Sequence, residues 1–317
     1  MLTEWWYYTG HLQAQGAPHE YGFEFTVFQL RRVGAPVVYL AHFAVTDVDG
    51  QSFSHQARTV NGAAQSGLAL NVQDWQATSD GTDDTIQAQM EPGPGVVHAY
   101  GLNLQLHSEK PPALHNGGYL DYGPQGGSYY YSRTRLGVTG QLRSDQGDWE
   151  AVAGQAWMDH QWGNFVIGNG GWDWYSLQLD HDRELMLYVL RDARGSTVGV
   201  YGTAVGPGGA TRPLAGSDIS AVATGSWTSP HTGAVYPSGW HVTVPGEGLD
   251  LLITPRVQDQ ELYFPGQSAL RSSVTTYWEG AVSVAGNASG EGYVELTGYA
   301  KVGSEVGDRR AASDTGP

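Results

Sequence analysis

The sequence predicts an all-β protein made of two β-barrel-like units. Apolar and polar residues alternate in many short segments, as in "YGFEFTVFQL" from Tyr21, and this alternation is typical of half-buried strands. With 45 Gly and only 15% charged residues, the composition favours short strands and tight turns over long helices. Two pairs of similar segments recur in the same order, which indicates an internal duplication.

Strands are predicted at each alternating segment, and turn sequences separate them. After the first segment, the clearest in chain order are "VVYLAHFAV", "LNLQLH", "ELMLYVLRD" and "LDLLITP". Clusters of Gly, Pro and Asp, such as "SDGTDD" and "EPGPG", interrupt the alternation. Closing a sheet into a barrel removes its unpaired edges, and a barrel of about eight or more strands has room for one small ligand.

The duplication is indicated by similarities near both ends of each copy. "WYYTGHL" from Trp6 resembles "WYSLQLD" from Trp174, and "LGVTG…EAVAGQA" resembles "AVSVAG…YVELTGYA". The second similarity aligns two pairs of glycines: Gly140 with Gly286, and Gly154 with Gly298. We therefore predict one copy before the segment "IGNGGWD" and one after it.

The predicted domains span residues 1–166 and 167–305, and a small, polar and flexible tail spans 306–317. No run of about 18 apolar residues occurs, so no membrane span is predicted, and contact with a membrane surface stays open. The N-terminal segment has no signal-peptide pattern, and the sequence leaves the compartment open.

The charge of the chain excludes nucleic acid as a partner. The formal net charge is −16, and Lys110 and Lys301 are the only lysines in the sequence. A surface this acidic repels phosphate backbones. The sequence has no cysteine, which excludes disulfides, thiolate metal sites and cysteine nucleophiles.

Motifs for metals, nucleotides and activated serines are missing from the sequence. The histidines lack the H-E-x-x-H spacing of a zinc site, and neither a G-x-S-x-G turn nor a glycine-rich phosphate loop occurs. The sequence therefore predicts no metal and no cofactor. A small apolar molecule is the expected ligand of a barrel of this kind.

The segment "GQAWMDHQWGNF" (154–165) has the highest density of chemically versatile side chains in the chain. Its second copy stops after the shared "G-x-A", so the dense motif occurs once, which favours function over packing. Side chains alternate between the two faces of a strand. His160 and Trp162 therefore share one face, predicted to line the cavity, and Asp159 lies on the other, where it supports the site.

Two other segments place aromatic and charged residues on a common face. In "TEWWYYTG", Glu4, Trp6 and Tyr8 share a face, which either lines the ligand cavity or plugs the barrel. In "SYYYSRTRL", Tyr131 and Arg133 share a face with Tyr129 and Arg135. The two arginines either hold an anionic ligand or pair with carboxylates on neighbouring strands, and we favour the pairing.

The second copy contributes four further candidates. "GWDWYSLQLD" contains Trp174 and Tyr175, "ELMLYVLRD" contains Tyr188, and "YWEGAVSV" contains Trp278. We expect these aromatic side chains to line a ligand cavity, with a core strand as the alternative for the last of them.

Five strings together resemble the AttH-like and carotenoid 1,2-hydratase (CrtC) family: "EWWYYTGHL", "YYYSRTRL", "GQAWMDHQWG", "DWYSLQL" and "YWEGAVSV…GYVELTGYA". They extend from Glu4 to Ala300. The resemblance implies a fold of two lipocalin-like β-barrel domains and apolar ligands that are often polyene or polyketide-like. Relatives of this fold add water to isolated double bonds, and lipocalin-like cousins include pericyclases.

The resemblance also implies catalytic positions. In the carotenoid hydratases, the histidine and tryptophan of the motif are followed by a tyrosine and an aspartate two residues apart. His160, Trp162 and Tyr188 match, but Leu190 stands where the pattern has aspartate. Asp159 and Asp173 are the alternatives for the missing acid.

The expected function is therefore hydration of a double bond in an apolar isoprenoid or polyene. Hydration needs an acid, a stabilised carbocation and a positioned water, which an acid in an apolar barrel, aromatic rings and a histidine can supply. The alternatives are a carrier that binds a hydrophobic ligand without changing it, and a pericyclase that acts on a polyketide-like substrate.

Overall fold

A computed structural model describes residues 2–63, 67–123, 126–145, 147–165, 170–264 and 276–300. The strands are β1 (Leu2–Ala14), β2 (Glu20–Arg31), β3 (Val37–Asp47), β4 (Ser52–Gly62), β5 (Ala69–Val72), β6 (Trp75–Ser79), β7 (Asp83–Gln89), β8 (Gly101–Ser108), β9 (Ala113–Asp121), β10 (Gly126–Arg143), β11 (Glu150–Phe165), β12 (Gly171–Leu179), β13 (Arg183–Arg191), β14 (Thr197–Val205), β15 (Thr211–Leu214), β16 (Ser220–Ala223), β17 (Ser226–Thr228), β18 (Val235–Pro237), β19 (Trp240–Val244), β20 (Leu249–Pro255), β21 (Glu261–Tyr263), β22 (Thr276–Gly286) and β23 (Gly290–Thr297). Short 3-10 helices lie at Pro207–Gly209, Gly216–Asp218 and Pro245–Glu247.

The first sheet is a nearly closed barrel. Its strands follow the order β4-β3-β2-β1-β11-β10-β8-β7-β6-β5, and β9 pairs with the first half of β10. The sheet encloses a core to which alternate residues of each strand contribute, as the alternation in the sequence predicts. The side chains of this core include Tyr8, Phe23, Phe25, Phe43 and Trp75.

The second sheet is a half-barrel with the same order of strands. It follows β15-β14-β13-β12-β23-β22-β20-β19-β16, and β21 pairs with the first half of β22 just as β9 pairs with β10. In both sheets the first strand of the unit pairs with its last. The predicted all-β class with two barrel-like domains is confirmed.

The register of the duplication differs from the predicted one. Gly140 and Gly286 are equivalent, because each leaves room for the neighbouring backbone at the same point of its sheet. Gly154, however, corresponds to Gly290 and not to Gly298, since Gly154 opposes Leu12 as Gly290 opposes Leu179. The β22–β23 hairpin is shorter than the β10–β11 hairpin, which shifts the alignment after the turn.

The two units pack against each other through a cluster of large side chains, which we call the interface cluster. Its buried members are Tyr7, Leu120, Tyr130, Trp157, Trp174, Met186, Tyr188, Ala281 and Tyr293. At the edge of this cluster, Lys110 and Arg135 of the first unit form ion pairs with Glu184 of the second. A buried ionic group is tolerated only when it is paired, so these contacts fix how the units dock.

The predicted boundary between residues 166 and 167 lies outside the described residues, and so does the predicted tail at 306–317. The strands on either side of that boundary are described: β11 of the first sheet ends at Phe165, and β12 of the second sheet begins at Gly171. Among the described residues, no helix is long and apolar enough to cross a membrane.

Candidate functional site

The side chain of His160 lies at the centre of a three-strand row in the first barrel. On β11 it is opposite Trp6 of β1 on one side and Tyr131 of β10 on the other. The next row of the same face contains Glu4, Trp162 and a second tyrosine of β10. Residues two apart on a strand share a face, so the six side chains of these two rows lie together.

Aromatic rings form a continuous stack along this face. The ring centroid of His160 lies 5.1 Å from that of Trp6 and 4.6 Å from that of Trp162. Trp162 in turn stacks on Tyr129 at 5.3 Å. The stack begins at Trp6, which is 2% exposed, and ends at Tyr129, which is 51% exposed, so it leads from the core to the barrel mouth.

Both ring nitrogens of His160 have polar partners. Nε2 lies 3.0 Å from Oε1 of Glu4, and Nδ1 lies 3.2 Å from the hydroxyl of Tyr131. Gln29 donates a 2.8 Å hydrogen bond to the other carboxylate oxygen of Glu4, and Tyr39 donates to Gln29 in turn. This series of hydrogen bonds fixes the orientation of the Glu4 carboxylate and of the His160 imidazole, which a catalytic acid–base pair requires. We call Glu4, Trp6, Tyr131, His160 and Trp162 the His160 cluster.

The His160 cluster is partly open to water. The side chains of His160 and Glu4 are 15% and 20% exposed. Burial raises the pKa of Tyr131, so its phenol keeps its proton at neutral pH and can donate a hydrogen bond.

Two cavities adjoin the cluster. The larger, of about 620 Å³, is lined by Trp162, Tyr129 and Tyr119, and the smaller, of about 340 Å³, is lined by Tyr131, Arg133 and Leu114 together with loop residues. Ligand pockets in proteins span roughly 300–1,000 Å³, so each has the size for a small molecule.

Tyr8 and Arg133 lie one layer deeper on the same face of the barrel. Arg133 forms a buried ion pair with Asp84 of β7, and their side chains are 2% and 0% exposed. Burial, followed by the charge of Asp84, raises the pKa of Tyr8 well above its usual value. The favoured pairing of the arginines is confirmed, because Arg135 pairs with Glu184.

The prediction that Arg133 and Arg135 share one face is wrong. A β-bulge shifts the register of β10 between Arg133 and Leu136. The extra residue of a bulge reverses the alternation of side chains after it. Arg133 consequently points into the first barrel, whereas Arg135 reaches Glu184 in the second unit.

Asp159 lies on the face of β11 opposite His160, as the alternation predicts. Its carboxylate accepts hydrogen bonds from the hydroxyls of Tyr130 and Ser132 and from the indole of Trp157. Burial raises the pKa of Asp159 to about 6, and these three hydrogen bonds oppose that rise. The sheet separates Asp159 from His160, so the structure does not bring these two predicted catalytic residues together.

Tyr188 and Trp174 also lie away from His160. Both belong to the interface cluster, where Tyr188 stacks on Tyr201 at 4.8 Å and the indole of Trp174 donates to the hydroxyl of Tyr130. Leu190 packs against the same cluster. The position two residues after Tyr188 therefore adds an apolar side chain to the interface and no acid to the His160 cluster.

Tyr175 and Trp278 lie in the core of the second barrel. The remaining alternative acid, Asp173, is there as well, and it pairs with Arg191 and accepts a hydrogen bond from Tyr299. None of these side chains adjoins the cavities of the first barrel that the described residues line.

The described part of the second unit has no equivalent of the His160 cluster. The equivalence of Leu12 and Leu179 makes Trp174 the counterpart of Tyr7, so the match of Trp6 to Trp174 in the sequence is one residue out of register. Tyr7 opposes Asp159 in the first sheet, and Trp174 opposes Glu295 in the second. Asp159 thus corresponds to Glu295, and His160 corresponds to Leu296, which is fully buried. The duplicated framework is retained, whereas the ionisable pair occurs in one copy among the described residues.

Three carboxyl groups lie between the units near the interface cluster: those of Glu24 and Glu279 are buried, and that of Glu295 is half-buried. Glu279 and Glu295 are directly opposite on neighbouring strands, and Tyr7 donates a hydrogen bond to Glu279. Burial raises the pKa of Glu24 to about 7 and that of Glu295 to about 8. Burial also raises the pKa of Glu279 well above its usual value, with help from the charges of the other two. These groups keep protons that an exposed carboxyl would lose.

Gln29 and Tyr39 were not identified from the sequence, although a signal for Gln29 is present. In "YGFEFTVFQL", Tyr21, Phe23, Phe25 and Val27 alternate into the barrel core, so Gln29 is a polar residue at an inward position. A buried polar side chain needs a partner, and here that partner is Glu4. Within the described ranges, no group of His, Asp and Glu side chains is placed to hold a metal ion.

Comparison with known proteins gives a family and a fold. The family model of the AttH-like proteins matches residues 1–299. A protein from Nitrosomonas europaea described as AttH is 30% identical, with a TM-score of 0.81 over 94% of this chain and 92% of its own. No curated protein matches the chain significantly.

Two more distant crystal structures share the fold. Kievitone hydratase from Nectria haematococca is 16% identical, with a TM-score of 0.71 over 93% of this chain and 88% of its own. CghA in complex with Sch210972 is 14% identical, with a TM-score of 0.53 over the same shares of the two chains.

Proposed function

The chain belongs to the AttH-like family, and from that premise we propose that it is a hydratase that adds water to a carbon–carbon double bond of an apolar isoprenoid or polyene. The His160 cluster is the proposed active site. A kievitone hydratase shares the fold, which supports the choice of reaction class.

The observation that carries the proposal is the hydrogen-bonded series Glu4–His160–Tyr131 between two indole rings at the barrel mouth. A carboxylate beside an imidazole forms an acid–base pair, and here it adjoins cavities and is reached by water. In packing alone, an apolar side chain would serve equally well, as Leu296 does at the equivalent position of the second unit.

The proposed reaction begins with proton transfer from His160. Glu4 holds Nε2, and the substrate displaces the longer contact, which joins Nδ1 to Tyr131. The acid is the imidazolium form of His160, which donates its Nε2 proton in a hydrogen bond to the Glu4 carboxylate and carries its second proton on Nδ1. That second proton moves to one carbon of the double bond, whose π electrons form the new C–H bond and leave a carbocation on the other carbon. A water oxygen bonds to that carbon, and the proton that the water loses returns to the Glu4–His160 pair.

The aromatic rings stabilise the carbocation. Trp162 lines the larger cavity and Trp6 stacks on His160, so a cation formed beside the imidazole lies near two electron-rich ring faces. A desolvated cation–π contact is worth roughly 2 kcal/mol.

A Trp162→Leu variant is therefore expected to lower kcat by roughly tenfold or more, and Trp162→Phe to lower it less, because phenylalanine keeps a weaker ring face. Steady-state kinetics on an isoprenoid that the wild-type protein hydrates measures the effect. The control is Trp149→Leu, which removes an indole that is 40% exposed and lies over Arg143. Equal rates for Trp162→Leu and the control would contradict the role of the indole.

The reaction class is tested by incubating the protein with a panel of polyenes and isoprenoids in water labelled with ¹⁸O. Hydration predicts a product heavier by one labelled water molecule, detected by mass spectrometry. A carrier would return every compound with unchanged mass, and a pericyclase would give an isomer of unchanged mass and new retention time. Either of these two results would overturn the proposal.

A further inference from the structure

The smaller cavity of the first barrel has in its wall a buried arginine that nothing in the proposed reaction uses. Arg133 lines this cavity, and its Nη2 is engaged by Asp84. Its Nη1 atom is buried and has no hydrogen-bond partner among the described residues. An unpartnered donor of a buried guanidinium is destabilising by about 1–3 kcal/mol, so its retention points to a group that binds there.

We propose that this cavity is a second binding subsite, in which Arg133 holds a neutral oxygen of the substrate, a hydroxyl or a carbonyl. The proposal rests on the proposed function and names its substrate class: an oxygenated isoprenoid rather than a pure hydrocarbon.

The charges around the cavity favour a neutral oxygen over a carboxylate. Asp84 is buried against Arg133 and offsets its positive charge, so that the pair as a whole is neutral. A second carboxylate would meet the charge of Asp84 at close range in a protein of net charge −16. A hydroxyl or carbonyl oxygen accepts the hydrogen bond from Nη1 without adding charge.

The remaining walls fit a hydrocarbon chain. Leu68, Pro112 and Leu114 supply apolar surface, and Tyr131 forms the wall nearest to His160. Arg133 and Tyr131 are two residues apart on one face of β10, which corresponds to roughly 6–7 Å along a strand. A ligand that binds Arg133 through its oxygen therefore places a double bond about five carbon atoms away beside Tyr131 and His160.

The test compares three ligands of the same carbon skeleton: geraniol, its hydrocarbon analogue 2,6-dimethyl-2,6-octadiene, and geranic acid as the carboxylate. Dissociation constants are measured by tryptophan fluorescence, both for the wild-type protein and for the His160→Ala variant, in which turnover is suppressed. We expect geraniol to bind at least about tenfold more tightly than the hydrocarbon, as one hydrogen bond to a charged donor implies, and geranic acid to bind more weakly than geraniol.

Two variants test whether the smaller cavity is the origin of the preference for geraniol over the hydrocarbon. Leu114→Trp fills the cavity, and folding is preserved because Leu114 is 50% exposed. The matched control is Leu252→Trp, since Leu252 lies on a strand of the second unit and is 51% exposed. The double variant Arg133→Met with Asp84→Asn removes the donor without leaving a buried charge. Both changes are expected to abolish the preference for geraniol, and the control to keep it.

Equal binding of geraniol and the hydrocarbon by the wild-type protein would overturn the subsite, and so would a preference that survives Leu114→Trp. Tightest binding of geranic acid would overturn its neutral character. If the double variant does not fold, Leu114→Trp decides alone. A preference for geraniol without any hydration would refute the proposed reaction and leave the subsite standing, so the two failures are distinguishable.

Discussion

A His160→Ala variant is expected to lose about 10²–10⁴-fold in kcat/KM for hydration, the range that general acid–base catalysis contributes. The variant removes the group that donates the proton and later takes one back from water, and it leaves Glu4 without its imidazole partner. Folding should be little affected, because His160 lies at the barrel mouth with 15% of its side chain exposed. The measurement is steady-state kinetics, with circular dichroism as the check of the fold.

His11→Ala is the matched control for this prediction. His11 lies on β1 of the same sheet, its side chain is 12% exposed, and it also has a glutamate neighbour, Glu291 at 3.7 Å. It faces the second unit, where it contacts the backbone carbonyl of Gly292. The control should retain the wild-type rate. Equal losses in both variants, or wild-type rates in His160→Ala, would exclude His160 as the catalytic group.

The second large effect concerns the dependence of stability on pH. We expect the free energy of unfolding of the wild-type protein to fall as the pH rises from about 4.5 to about 8, and a Glu295→Gln variant to lose much of this dependence. The pKa of Glu295 is raised to about 8 in the folded protein because its surroundings keep most water away from the half-buried carboxyl, and that of Glu24 is raised to about 7.

The sign of the effect follows from proton binding. Below the unfolded pKa of about 4.3, a glutamate is protonated in both states and adds no penalty. Above that value the unfolded chain releases the proton while the folded protein keeps it, so stability falls until the folded pKa is reached. For Glu295 the loss is on the order of a few kcal/mol, at about 1.4 kcal/mol for each pH unit.

Glutamine resembles a protonated glutamate in size and still accepts the hydrogen bond that Trp172 donates. Glu295→Gln should therefore match the wild type near pH 5 and be more stable near pH 8.5, as measured by urea denaturation at each pH. The control is Glu109→Gln, which alters an exposed carboxylate. A variant that follows the wild-type curve at every pH would show that Glu295 is ionised in the folded protein.

The fold could be predicted from the sequence because strand alternation is a local property. Segments such as "YGFEFTVFQL" carry the pattern of one buried face, and that face is the one that lines the barrel. The duplication was visible for the same reason. Its exact register was not, because the shorter hairpin before Gly290 moves the second copy relative to the first and leaves no local signal at Gly298.

The candidate site could be predicted in part. Alternation alone places His160 with Trp162 and Glu4 with Trp6, and the pairing of β1 with β11 then brings both pairs together. The bulge after Arg133 was not predictable, because bulges depend on the neighbouring strands as much as on the bulged sequence. The placement of Tyr188 in the interface cluster, and of Asp159 in hydrogen bonds to its members, depends on how the two units dock, which no local pattern encodes.

The pairing of His160 with Glu4 was also not predicted, since these residues are far apart in the sequence and meet diagonally across two strands. Because Leu190 stands where the family pattern has aspartate, the sequence indicates Asp159 and Asp173 as alternative acids. The acid beside His160 is instead Glu4, on the first strand. A polar residue at an inward position, Gln29, is the remaining sequence signal that points to this location.

The central claim is that the substrate reacts at the mouth of the first barrel, beside His160. The most direct test is a crystal structure of the His160→Ala variant in complex with an isoprenoid that the wild-type protein hydrates. We expect electron density for the ligand in the cavities lined by Trp162 and Tyr131, with a double bond next to the space that the imidazole leaves. Density between the two units beside Asp159 and Tyr188, with the barrel mouth empty, would contradict the claim.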